Sequence, residues 1–255
     1  HDTLYNKYKD RVGQLVAAEV YQTWKSETLL VDADKNDLLL PKNQQIPRDF
    51  YHKGELVRAV IDRVDNTNGN PKIYLSRTST EFLRALLEQE VPEFEQGIIT
   101  LYDVARIPGE RAKISVGTND PNIDPVGACV GRDVDPDLPQ LRHNRIQGIV
   151  RELKNENIDV VQYSSNPTLY IQRALNPARV SKIVLNEEEK KAEVFLQPDQ
   201  VSLAIGKAGQ NIKLASMLTG YTIDVFREIE GEQNVEDIYL DEFADEIDQW
   251  VIDAI

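Results

Sequence analysis

Gly206-Lys207-Ala208-Gly209 is the segment of this 255-residue chain whose residue types point most directly to chemistry. Two glycines let a backbone turn sharply through conformations closed to other residues and bring main-chain amides close to a ligand. A helical pattern opening at Gln210 aims its first amides, those of Gln210 and Asn211 included, at the same spot, and such N-terminal amides favour an anion. Lys207 adds a positive charge inside the segment and Lys213 another further along the helix. What this spells is capture of phosphate groups, with no bond made or broken. A helix-helix turn that needs glycines only for its shape is the plainer alternative. Triphosphate hydrolysis has no support: a P-loop needs Gly-x-x-x-x-Gly-Lys followed by Ser or Thr after a strand. Here Ala208 follows Lys207, and a helical pattern precedes the loop.

A second set of candidates lies nearer the N-terminus. Tyr21, Trp24, Phe50, Tyr51 and His52 offer rings on which bases stack, with Lys25, Arg48 and Lys53 nearby for phosphates. Some of these rings must instead fill a core. Arg142, Arg145, Arg151 and Lys154 would line a basic edge, although surface helices commonly carry such charges without function. Asp133, Asp135 and Asp137 have the spacing that opens an EF-hand loop. Leu138 and Asn144 stand where that loop needs its glycine and its closing Glu, so an acidic solvated loop is the better reading. The single Cys129 excludes an intramolecular disulfide and a cysteine-built zinc site. With His1, His52 and His143 as the full set of histidines, no metal or other cofactor is expected.

Those residues need elements to position them, and the length suggests two to four small domains. Residues 12–24, 28–31, 38–40, 56–64 and 72–77 read as short strands between turn signals, which suits a small closed barrel of the OB type. A helix follows over 80–90, with Phe82, Leu83, Leu86 and Leu87 on one face and Ser79 or Thr80 as N-cap. Strands are expected over 98–106 and 111–116. An internal repeat then emerges when Val126-Gly127-Ala128-Cys129-Val130-Gly131 is laid over Val201-Ser202-Leu203-Ala204-Ile205-Gly206. Each copy leads into a helix, 145–154 or 210–218, and then a strand carrying the same tripeptide, Ile158-Asp159-Val160 or Ile223-Asp224-Val225. A helix over 169–175 and strands over 180–185 and 192–196 precede the second copy. A Gly-x-x-Gly loop between two helices, ahead of a strand, is the setting in which KH domains clamp roughly four nucleotides.

The net charge of -14 argues against phosphates as a partner. Its distribution weakens the objection: from Glu228 onward there are 11 Asp and Glu and no Lys or Arg, leaving -3 on residues 1–227. The tail places Val235, Ile238, Tyr239, Phe243, Ile247, Trp250 and Val251 at helical spacing, so an acidic amphipathic helix is expected, most simply the start of a further domain. No apolar run is long enough to span a bilayer, and the first residues carry no secretory pattern. The lack of an initiator Met and the end at Ile255 read as an excised segment.

The chain resembles the NusA family. Stretches that carry the resemblance include Leu40-Pro41-Lys42-Asn43-Gln44-Gln45-Ile46-Pro47, Leu75-Ser76-Arg77-Thr78, Arg106-Ile107-Pro108-Gly109-Glu110-Arg111, Asp124-Pro125-Val126-Gly127 and Pro198-Asp199-Gln200-Val201. The resemblance implies an α+β multidomain fold, a five-stranded OB-type β-barrel followed by two tandem bacterial-type (type II) KH domains. Its implied parts are a helical remnant at 1–11, a barrel of the ribosomal S-one type at 12–78, a first KH domain at 79–164, a second at 165–228 and an acidic helical extension at 229–255. It implies a cytoplasmic, non-enzymatic binder of single-stranded RNA, the nascent transcript, that acts on pausing, termination and antitermination. RNA polymerase would be reached through a region outside this chain, and no membrane is involved. The implied RNA contacts are Gly206, Lys207, Ala208, Gly209, Gln210, Asn211 and Lys213, with Gly131 and Arg145 in the first KH unit and Tyr51 and His52 in the barrel. One departure stands out. Gly131 is 15 positions from Ile146, against 6 from Gly206 to Ile212, so the first unit has nine extra residues at 132–144 and lacks the second loop glycine. Its RNA binding is therefore in question. Two other readings are a protein-interaction scaffold working through the acidic tail and the RNA-binding appendage of an exoribonuclease. The appendage has the opposite domain order and would come with a catalytic domain.

Overall fold

A computed structural model of the protein describes residues 2–131, 144–228 and 235–237. In chain order the first elements are α1 (Asp2–Tyr8), β1 (Leu15–Thr23), β2 (Glu27–Val31), β3 (Asp37–Pro41), β4 (Leu56–Asp65), β5 (Lys72–Ser76), α2 (Thr80–Glu90) and α3 (Pro92–Glu95). Next come β6 (Thr100–Ile107), β7 (Arg111–Gly117), α4 (Pro125–Val130), α5 (Asn144–Glu152) and β8 (Asn157–Gln162). Then follow α6 (Pro167–Ala174), β9 (Lys182–Asn186), β10 (Lys191–Leu196), α7 (Val201–Ile205), α8 (Gln210–Thr219), β11 (Thr222–Glu228) and β12 (Val235–Asp237). Two compact units result. One holds residues 2–96, 108–110 and 144–157, and the other the remaining described residues. The segment 79–164, expected as one module, thus contributes helices α2, α3 and α5 to the first unit and β6, β7 and α4 to the second. Chain order and burial partition it differently.

In the first unit β1, β2, β3, β5 and β4 close into a barrel. Alternation drives it: β2 and β3 bury every second residue, Thr28, Leu30, Leu38 and Leu40. These meet Val20, Ala59, Ile61, Ile73 and Leu75 in one core. Antiparallel pairing carries the sheet from β1 to β2 to β3, and a parallel contact, Leu39 opposite Tyr74, closes it. The expected N-terminal remnant proves to be part of this core. Tyr8 of α1 is buried in it, and its hydroxyl donates to Asp32 Oδ2 at 2.5 Å. Lys7 Nζ reaches the same carboxylate at 2.9 Å. Burial alone would raise the Asp32 carboxyl, but the bonds from Lys7, Tyr8 and the Asn36 amide hold it well below the usual carboxylate range. Burial, reinforced by the bond to Asp32, pushes the Tyr8 phenol up to about 12.

A buried arginine joins the barrel to the helices beside it. The register of β5 that turns Ile73 and Leu75 inward also turns Arg77 inward, where it is 3% exposed. Its guanidinium donates from Nε to Asp49 Oδ2 at 2.8 Å, from Nη1 to Glu152 Oε1 at 3.0 Å, and to the carbonyls of Arg58 and Glu152. Ser79 then caps α2 by accepting from the Phe82 amide at 3.3 Å, as its position before the apolar face predicts.

The second unit contains two sheets, ordered β6-β7-β8 and β12-β11-β10-β9. In both, the middle strand of the hairpin pairs with the strand that follows the helix pair, which is the internal repeat expressed as topology. The β10–β11 pairing is parallel, with Ala192 opposite Ile223 and Val194 opposite Val225. Helices α6, α7 and α8 cover one face of their own sheet and also pack on the first sheet, so that Ala105 of β6 shares a core with Ile171, Ile205, Ile212 and Leu218. Two polar bolts fix this packing. Tyr170 of α6 donates to Asp103 Oδ2 at 2.6 Å and accepts from the Ser115 hydroxyl, 2.7 Å away. Lys113, fully buried, reaches Asp159 Oδ2 and the Asn176 carbonyl, each at 3.0 Å. Burial pulls the Lys113 ammonium below the ordinary lysine range, against the opposing pull of Asp159. At the end of the chain, residues 235–237 are a strand paired with β11, with Phe226 opposite Asp237, where helical spacing predicts a helix. An unpaired edge of β11 outweighs local periodicity there. The rest of that expected helix lies outside the described residues.

Candidate nucleic-acid interface

The Gly206–Gly209 loop is shaped by backbone conformations that few residues adopt. Gly206, Ala208 and Gly209 have φ of 76°, 52° and 71°. A Cβ at Gly206 would stand 2.7 Å from Asn211 Cβ and 3.0 Å from the Asn211 amide nitrogen, so only glycine fits where the chain leaves α7. Ala208 tolerates a left-handed conformation that costs an L-residue roughly 1–2 kcal/mol. The loop closes on itself through the Gly206 carbonyl, which accepts from the Gly209 amide at 3.2 Å. Helix α8 starts directly after it with Gly209 as N-cap, and no side chain caps its first amides. The Gln210 amide is taken by the Lys207 carbonyl, and Asn211 and Ile212 are buried, so what the start of α8 lends an anion is the positive end of its dipole.

Lys207 is exposed, and Ala208, Gln210 and Lys213 are half-buried. Asn211 departs from expectation. Its side chain is fully buried, and its Nδ2 donates to the carbonyls of Leu175, Leu203 and Ala204 at 3.1, 3.2 and 3.0 Å. The carboxamide thus ties α7, α8 and the end of α6 together, and Asn211 serves the loop as a brace. Sequence held a signal for this: Asn211, Leu214, Ala215 and Leu218 recur at helical spacing, which puts the asparagine on the buried face.

In the first KH unit Gly131 ends α4 with φ of 88°, and its amide donates to the carbonyls of Gly127 and Ala128. Asp133, Asp135, Asp137 and Arg142 lie outside the described residues, and so does the loop they belong to. Arg145, expected to meet phosphate, is instead in a bidentate ion pair with Glu93 of α3, Nη2 lying 3.0 Å from Oε1. Arg151 is exposed.

On the barrel the aromatic candidates divide. Tyr51 packs against the core and donates to Asp49 Oδ2 at 2.7 Å, and burial drives its phenol far above the ordinary tyrosine range. It serves as part of the Arg77 joint. Tyr21, Trp24 and Phe50 are exposed by 53%, 42% and 75%. His52 is exposed and lies 5.5 Å from the Phe50 ring, centroid to centroid. Lys53 sits 5.6 Å from the Tyr21 ring, and the two share a surface pocket with Tyr51. Arg48 is occupied, donating to the Gly109 carbonyl. Sequence reasoning missed Arg77, Asp49, Glu152 and the stack of Tyr102 on Tyr163 at 3.8 Å, all of which position elements.

A closed barrel followed by two sheet-and-helix modules, the second with an intact Gly-x-x-Gly turn, defines the class as a barrel-bearing tandem KH protein. Residues 77–163 match the NusA-like first KH domain, and residues 167–233 match the NusA-like second KH domain. The chain is 40% identical over 220 residues to the transcription termination/antitermination protein NusA of Thermus thermophilus, covering 86% of this chain and 54% of that protein. With the NusA of Bacillus subtilis it shares 40% identity over 230 residues, 90% of this chain and 59% of the relative. For that of Borreliella burgdorferi the figures are 35% over 223 residues, 87% and 44%. The chain belongs to the NusA-like KH family, and it spans about half the length of the curated relatives it matches. Among the described residues no helix is long and apolar enough to cross a membrane, and no group of His, Cys, Asp and Glu is placed to hold a metal.

Proposed function

We propose that this chain binds single-stranded RNA, as the RNA-capturing segment of a transcription termination/antitermination factor. The observation that carries the reading is the Gly206–Gly209 turn, where left-handed backbone, the positive end of the α8 dipole and the exposed Lys207 converge. A sugar-phosphate strand supplies the anion these groups suit, and the loop's small residues let it approach the main chain. Exposed Tyr21, Trp24, Phe50 and His52, with Lys53, supply a stacking surface on the barrel for the same strand or another. Linked weak sites give avidity without any one being tight. The activity implied for the whole factor is to take hold of the transcript as it leaves RNA polymerase, in the cytoplasm, while a region outside this chain contacts the polymerase. Nothing in this reading asks the chain to catalyse a reaction.

The test is a fluorescence titration of the whole chain with short single-stranded RNAs, comparing the natural sequence with a K207D/A208D variant. Two carboxylates at the turn should abolish binding and leave the melting temperature nearly unchanged, because both positions face solvent at least in part. Undiminished binding by the variant would remove the turn from the site.

A further inference from the structure

Within the second unit a groove of about 640 Å³ runs between strand β8 and helix α6, continuing past Ala178 to Val180. It falls within the roughly 300–1,000 Å³ of small-ligand pockets. Its composition is one-sided. Val160, Val161 and Leu169 give it apolar walls, Arg173 and Arg179 bring two guanidinium groups, and among the described residues no carboxylate lines it. Arg179 is exposed, and its backbone amide is fixed by Gln200 Oε1 at 2.9 Å, so the start of its side chain is anchored while the charged end is in solvent. The rim has a further property. Among the described residues β8 is an edge strand, paired with β7 and with no strand on its outer side.

We infer that this groove is a second RNA subsite, in which a nucleotide of the strand gripped at Gly206–Gly209 lays its base against Val160, Val161 and Leu169 while Arg173 and Arg179 hold its phosphates. The inference rests on the RNA-binding reading above and extends it to residues beyond the glycine turn. Positive charge with no acid opposite it calls for an anion, and the apolar wall calls for a flat ring beside that anion. An acidic peptide adding a strand to β8 would satisfy the charge equally. Arg173 disfavours it: Nη1 reaches the carbonyls of Gln162 and Tyr163 at 3.5 and 3.4 Å, covering the end of the edge that an added strand would need. Point contacts from a nucleotide leave that cap in place.

The experiment measures affinities of the whole chain for single-stranded RNAs of about four and about twelve nucleotides over a range of salt concentrations. It compares the natural chain with Arg179→Gln alone and with Arg173→Gln/Arg179→Gln. The double variant should bind the longer RNA about tenfold more weakly, with a salt slope shallower by about 0.7 for each phosphate no longer neutralised. Its affinity for the four-nucleotide RNA should be unchanged, and the single variant, at an exposed arginine, should show part of the same weakening. Equal affinity and slope for the longer RNA in all three proteins would overturn the subsite. So would an oligoglutamate peptide that binds the natural chain and not the double variant while RNA binding stays the same. A failure confined to this groove leaves K207D/A208D still inactive, whereas failure of the RNA-binding reading shows as binding that K207D/A208D does not reduce.

Discussion

Individual side chains in this protein divide between those that present chemistry and those that hold the presenters still, and the second group includes several that look functional in sequence. Asn211 is the clearest case. Removing its carboxamide in Asn211→Ala leaves three buried carbonyls, of Leu175, Leu203 and Ala204, without their donor. A cost of about 1–3 kcal/mol in stability is expected from such a change, measured by denaturant unfolding. RNA affinity should fall with it, because the turn that Asn211 braces loses its support. A variant with full stability and full affinity would show that the bonds do not matter. Arg77 is the corresponding case in the first unit. Arg77→Met strands the carboxylates of Asp49 and Glu152, 2.8 and 3.0 Å from the guanidinium, and should cost about 3–5 kcal/mol. Arg63→Met, which breaks the exposed pair with Asp65 at 3.8 Å and lifts the guanidinium off the Tyr74 ring, should cost about 1 kcal/mol or less.

At the scale of elements, α1 is held to the barrel by groups whose titration is shifted, which makes its attachment sensitive to pH. The Tyr8 phenol is raised to about 12 in the fold, against about 10 for an unperturbed tyrosine. A raised value means that the stability it contributes is complete below about pH 10 and drains away as pH climbs toward about 12. Asp32 has the opposite sign: held low, it contributes above about pH 4 and loses that contribution as acid is added. Stability measured across the alkaline range should therefore fall less steeply in Tyr8→Phe than in the natural chain. Burial raises the phenols of Tyr51 and Tyr170 too, so the difference between the two proteins is the informative quantity, and parallel curves would contradict the assignment. Strands and helices themselves were largely legible, since period-two alternation marks β2 through β5 and a period near 3.6 marks α2. Even Arg77 is foreshadowed, as it continues the inward register of Ile73 and Leu75. Lys113 and Ser115 were not legible: alternation along β7 puts them on a polar face, and only the packing of α6 and α8 against that face buries them. The stretches that carry the family resemblance turn out to be joints. Gln44 bonds Ser76 and Thr78, Gln45 bonds Thr28 and the Leu40 carbonyl, and the Gly109 amide donates to buried Glu156.

For the molecule as a whole, negative charge and affinity for a polyanion are reconciled by placement. Eleven of the 14 net negative charges lie beyond Arg227, while the Gly206–Gly209 turn and the groove beside α6 display Lys207, Arg173 and Arg179. Short-range contacts of this kind persist at physiological salt, where charges more than about 8 Å away are screened. The glycine turn was the part of the site most open to reading, because few residue types permit its backbone. The groove was not, since its walls come from strand and helix segments that chain order keeps apart. The most direct test is an amide-resolved NMR titration of the isotope-labelled chain with a four-nucleotide single-stranded RNA. Capture by the turn requires the largest shifts at the main-chain amides from Lys207 to Ile212. Saturable binding that left those amides unmoved, with its shifts confined to the barrel or to the outer face of β9 to β11, would contradict it.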